Sequence, residues 1–118
     1  MSALEEVFAR QLDEKNIPYE RELMLIPGRR FRFDFVFEYA KLVAEIEGGT
    51  WSGGRHTRGK GFEDDCIKYN LALEQGYRVL RFTSRLVKDG SGAESVERIL
   101  QAEALQGSSD CSGDDFEV

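Results

Sequence analysis

Cysteine, histidine and proline are scarce in this chain: its 118 residues hold 2 Cys, 1 His and 2 Pro. Two cysteines build no disulfide framework, and with a single His they cannot complete a Cys/His zinc site. Reduced thiols fit a cytoplasmic setting. No apolar run approaches the roughly 18 residues that span a bilayer, and no signal-peptide pattern opens the sequence. The expectation is a cytoplasmic protein with no membrane partner. Positive charge is short as well. The formal net charge of −6 argues against a nucleic-acid binder until its distribution is read. Asp110, Asp114, Asp115 and Glu117 lie after Gln106, which leaves about −2 on the body. Cations cluster at Arg29, Arg30 and Arg32, and again at Arg55, Arg58 and Lys60.

What is present is an ordinary globular balance, 41% hydrophobic and 32% charged, with no internal repeat. The length suits one domain that buries roughly two-thirds of its unfolded surface. We place that domain at 1–106 and read the acidic run 107–118, GSSDCSGDDFEV, as a disordered tail. Ser2 caps a first helix, with Glu5 as its capping-box partner and Leu4, Val7, Phe8 and Leu12 as its stripe; Pro18 blocks continuation past Lys15-Asn16. Tyr19 to Ile26 reads as a strand that turns at Pro27-Gly28. Phe62 to Gln75 reads as a helix burying Phe62, Cys66, Tyr69 and Leu73, closed by Gly76. Tyr77 to Ser84 is a strand whose Arg78 and Arg81 flank the substrate. A last helix from about Gly92 packs through Val96, Ile99, Leu100 and Leu105.

The centre of the chain is the stretch from Phe31 to Gly48. Phe31, Phe33, Phe35 and Phe37 alternate with Arg32, Asp34 and Val36, so the four aromatics take one face of a strand. Lys41 to Gly48 alternates too, and a hairpin around Glu38–Ala40 gathers Asp34, Glu45 and Glu47 on the opposite face. Three carboxylates on one face repel unless a cation sits among them. Their hard oxygens suit Mg²⁺, with Mn²⁺ as substitute. Asp34 and Glu45 are the expected ligands.

Asp34 followed on the next strand by Glu45-Ile46-Glu47 resembles the PD-(D/E)xK nuclease superfamily. The longer run AEIEGGTW…GRHTRGKGFEDDCIKYNLALEQGYRVLRFTS is similar to very-short-patch repair endonucleases and small phage and bacterial endonuclease-like domains. The likeness spans roughly Leu4 to Val87. It implies an α/β, restriction-endonuclease-like three-layer core, with a mixed central sheet of about four strands flanked by helices. It further implies metal-dependent hydrolysis of DNA in phage or bacterial repair, recombination or processing. By the same resemblance Ile46 adds a backbone carbonyl to the metal, and His56 is a general acid/base or a phosphate contact. A first-helix Glu approaches the metal; Glu6 is chosen because Glu5 serves the cap. The superfamily's Lys position holds Glu47, which would orient water or help hold a second ion, so the lysine is either supplied elsewhere, by Lys60 or Lys68, or not used.

Plainer readings stand beside these. First-turn acids favour any helix dipole. Lys68 can pair with Asp64 at i−4, and charged strand edges guard against aggregation. Arg29, Arg30 and Arg32, with Arg55, Arg58 and Lys60 of the glycine-rich loop, are the expected DNA contacts. Gly54 to Lys60 matches the first seven positions of a Walker A motif, but Gly61 replaces the Ser/Thr that holds magnesium. Glu47 favours one rival class, a DNA-binding or assembly module that has lost turnover. Cutting both strands with one small site would call for a homodimer.

Overall fold

The computed structural model describes residues 2–48 and 60–110. Helix α1 (Ala3–Glu14) begins where the Ser2 hydroxyl accepts the Glu5 N–H at 3.1 Å. It ends in left-handed Asn16, φ 59°, whose N–H reaches the Asp13 carbonyl while the Ile17 N–H reaches Leu12. This cap satisfies carbonyls the helix leaves open. Then follow β1 (Glu20–Met24), β2 (Arg32–Phe37), β3 (Leu42–Ile46), α2 (Lys60–Glu74), β4 (Arg78–Phe82), α3 (Ser84–Lys88) and α4 (Ser91–Asp110). Gly76, φ +90°, closes α2 with the same pair of bonds, from Gly76 to Leu73 and from Tyr77 to Ala72. The sheet runs β1-β2-β3-β4, antiparallel twice and then parallel.

The two sheet faces bury separate cores. On one, Phe8, Ala9 and Leu12 of α1 meet Phe35, Phe37, Leu42 and Ala44, together with Val87 of α3 and Ala93 and Val96 of α4. On the other, Ala72 of α2 covers Val36 and Val43, with Ile26, Phe33 and Tyr77. The result is the expected α/β architecture, a mixed four-stranded sheet flanked by helices. Among the described residues no helix is long and apolar enough to cross a membrane.

Three expectations need correction. Phe33 leaves the face of Phe35 and Phe37 and joins the α2 core. Helix α2 is rotated from the expected stripe: Phe62 and Leu73 are 64% and 66% exposed, and Cys66 is exposed too. The sheet beneath carries carboxylates, so Tyr69 alone of that stripe turns inward, and Lys68 turns inward beside it. Leu105 is exposed, whereas Val96 of the same helix is fully buried. Helix α4 runs through Asp110, into the acidic run 107–118, and residues 111–118 lie outside those described.

Phe35 is fully buried, with ring centroids 4.9 Å from Phe8 and 5.4 Å from Tyr19. Phe35→Ala is expected to cost about 3–5 kcal/mol in urea unfolding. A loss below about 1 kcal/mol would remove Phe35 from the centre of the core.

Candidate functional site

Regular pairing of β2 with β3 ends at Phe35 and Ala44. Beyond it the side chains take over. The Asp34 N–H donates to Glu45 Oε2 at 3.0 Å, and the Ile46 N–H donates to Asp34 Oδ2 at 2.8 Å. Each carboxylate thus occupies an amide of the opposite strand, because a buried carboxylate needs donors more than the ladder needs continuity. Phe33, freed from the pairing, turns to the α2 side at this point. On β1, Glu22 stands between the pairs Arg21–Phe35 and Leu23–Phe33 with φ 53°. A left-handed Glu inside a strand costs on the order of 1–2 kcal/mol.

That strained residue brings its carboxylate to the site. Ligand oxygens of Glu5, Glu22 and Asp34 lie within 4.8 Å of one another. Oε1 of Glu5 is buried with no hydrogen-bond donor; the Arg21 guanidinium stands 3.7 Å away. Burial, then the neighbouring Asp34 and Glu22 charges, raise the Glu5 pKa. Burial also raises Asp34, against the pull of the Ile46 N–H and Lys68. Glu45, only 5% exposed, is pushed up to about 7 by burial despite the Lys68 ammonium. A cluster of hard oxygens in which burial makes the Glu5 and Asp34 charges costly, with one oxygen lacking a donor, matches what a divalent cation requires.

Lys68 reaches down from α2 to Glu45 Oε1 at 2.9 Å, its ammonium 4.7 Å from the Phe33 ring centroid. Glu47 belongs to an adjoining knot. It accepts from Arg81 Nε at 2.8 Å and from the Tyr69 hydroxyl at 3.1 Å. The Arg81 guanidinium lies 4.6 Å from the Tyr69 ring centroid. Burial first, then Glu45 and Glu47, raise the pKa of that phenol.

The other expected site residues are placed as follows. Glu6 is turned away, bonding Arg21 at 3.0 Å with its side chain half exposed. Arg29, Arg30 and Arg32 are exposed around the β1–β2 turn, with Arg29 over the Phe31 ring. Arg78 sits at the far end of β4, bonded to Glu103 at 3.0 Å and to the Ala40 carbonyl; only Arg81 stands level with Glu45. Arg55, His56 and Arg58, with the Walker-like run over 54–59, lie outside the described residues. Lys60 opens α2, and its side chain also lies outside them.

Two residues of this cluster were not anticipated. Glu5 continues the helical face of Phe8 and Leu12, a signal present in the spacing. The cap uses its amide and leaves its carboxylate for the site. Glu22 offers no such signal, since nothing in the sequence marks a left-handed Glu in a strand.

No protein-family model matches the chain, and no curated protein sequence matches it. Among solved structures it is similar to the catalytic domain of the homing endonuclease I-Bth0305I. The TM-score is 0.59 at 22% identity, over 86% of this chain and 92% of that one. The likeness is one of fold.

Two outcomes follow from the electrostatics and the strain. In EDTA, folded Glu45 retains a proton that the unfolded chain releases between 4.5 and about 7. Its contribution is fully present below the ordinary carboxylate range and is lost as pH rises through that window. The raised Asp34 and Glu5 act in the same direction. The urea midpoint should therefore fall from about pH 5 to about pH 8, and Glu45→Gln should flatten the fall; a flat wild-type profile contradicts the assignment. Separately, Glu22→Gly should stabilise the metal-free protein by about 1 kcal/mol, because glycine accepts the positive φ. A less stable variant would mean that Glu22 is not strained.

Proposed function

We propose that this chain is a metal-dependent endonuclease that hydrolyses DNA phosphodiesters, with Asp34 at the centre of its site. The observation that carries the reading is the convergence of Glu5, Glu22 and Asp34 around a buried oxygen that no donor fills. The likeness in fold to a homing endonuclease catalytic domain supports it. Glu5, Glu22 and Asp34 would hold Mg²⁺ or Mn²⁺. Such an ion, once bound, supplies a Lewis acid for a phosphoryl oxygen and lowers the pKa of water.

Glu45 takes a different part from the ligand role first expected of it alongside Ile46. Both its oxygens are engaged, by the Asp34 amide and by Lys68, so it holds those two groups in place. Lys68 fills the role of the motif lysine that Glu47 replaces: its ammonium orients the attacking water and offsets phosphate charge. Glu47 fixes Arg81, a further cation at the same strand end. Arg29, Arg30 and Arg32 contact the DNA backbone. Arg55, Arg58 and Lys60, with His56 as acid/base, stay in the proposal on sequence grounds, as do a homodimer for double-strand cuts and a setting in phage or bacterial DNA processing. The rival inactive module drew on Glu47; a lysine beside Glu45 weakens that case.

Supercoiled plasmid should be nicked in Mg²⁺ or Mn²⁺ and left intact in EDTA. Asp34→Asn should abolish nicking, and Lys68→Ala should slow it by about 100-fold or more, both in folded protein. Equal nicking by Asp34→Asn and wild type, each free of contaminating nuclease, would overturn the reading.

A further inference from the structure

Beside the acidic cluster, a cleft of about 520 Å³ opens between α1, the end of β3 and α3. Glu5 and Ile46 line it, and both also bear on Asp34, one through its carboxylate and the other through its amide. The cleft and the site are therefore continuous. Leu4 and Val7 give it an apolar wall, and Lys88 stands exposed among its lining residues, its ammonium in no ion pair among the described residues. Its volume is that of a small-molecule site, in the range of roughly 300–1,000 Å³.

We propose that this cleft receives an unpaired nucleotide next to the scissile phosphate, with its base against Leu4 and Val7 and its phosphate on Lys88. The inference rests on the nuclease reading. A base inside a duplex has both faces covered by its neighbours, so only an unstacked one has a face to bury on an apolar wall. A cation in no ion pair among the described residues can pair with phosphate. Glu5 belongs both to the cleft lining and to the acidic cluster, so a nucleotide in the cleft lies next to a phosphate held at the cluster. The site then favours substrate that is single-stranded, or locally unpaired, beside the cut.

The test is anisotropy of a short fluorescein-labelled oligothymidylate, titrated across salt with Asp34→Asn protein so that nothing is cut. Lys88→Ala should reduce the slope of log affinity against log salt by about 0.7, one lost single-strand phosphate contact. Ala3→Leu adds bulk to the cleft lining at an exposed helical position. It should weaken single-strand binding about five-fold or more, with perfect duplex bound as before. Unchanged single-strand binding in both variants, or an equal loss on duplex, overturns the assignment. If binding is unchanged while the same variants on wild-type Asp34 nick plasmid in Mg²⁺, the cleft falls and the nuclease reading stands. If both variants lose single-strand binding but wild type nicks nothing, the cleft stands as a nucleic-acid site and the nuclease reading falls.

Discussion

Glu45 is held between the Asp34 amide and the Lys68 ammonium, at 3.0 and 2.9 Å, and the rest of the site depends on that arrangement. A carboxylate buried as deeply as Glu45 costs least with donors on both oxygens. Supplying one of them from Asp34 ends the β2–β3 ladder at Phe35 and Ala44, although both strands run on, and returns the Asp34 carboxylate to the Ile46 amide. Supplying the other requires a cation from the layer above. Helix α2 therefore presents Lys68 and Tyr69 to the sheet, and its apolar Phe62 and Leu73 face outward. Phe33, released from the ladder, becomes part of the surface beneath that ammonium.

The same interruption gathers charge that the protein alone does not neutralise. Glu47 has Arg81 and Tyr69, and Glu45 has Lys68. Glu5, Glu22 and Asp34 converge with a buried oxygen left without a donor, and Glu22 holds a strained backbone to be there. Strain and repulsion at one point persist only where the surrounding fold over-determines them. Here that fold is α1 packed through Phe8 and Leu12 onto Phe35 and Phe37. Glu45, Ile46 and Arg81 lie at the carboxyl ends of the parallel β3–β4 pair, the edge where α/β sheets commonly bind ligands.

Much of this was legible in the residues, because the signals were local. Strand alternation over 31–48, the breaks at Pro18 and Gly28, and the cap at Gly76 foretold the elements and their order. The pairing of β2 with β3 followed from their short connection, and it set Asp34 beside Glu45. What escaped depends on groups distant in sequence. The spacing of Phe62, Cys66 and Leu73 describes an apolar helix face, yet the carboxylates below α2 decide which face turns inward. Glu6 was preferred because Glu5 fits a capping box; the cap needs only the Glu5 amide. Phe33 changes side because two side chains replace the ladder, which no period-2 pattern encodes.

The proposed nuclease site stands on cation binding by Glu5, Glu22 and Asp34. Electron paramagnetic resonance of Mn²⁺ titrated into the metal-free protein counts the bound ion directly, without reference to any substrate. The expected result is one tightly held Mn²⁺ per chain, lost in Asp34→Asn, sharply weakened in Glu22→Gln and displaced by Mg²⁺. Folded wild-type protein that leaves all its Mn²⁺ free, or binding indifferent to Asp34, would contradict it.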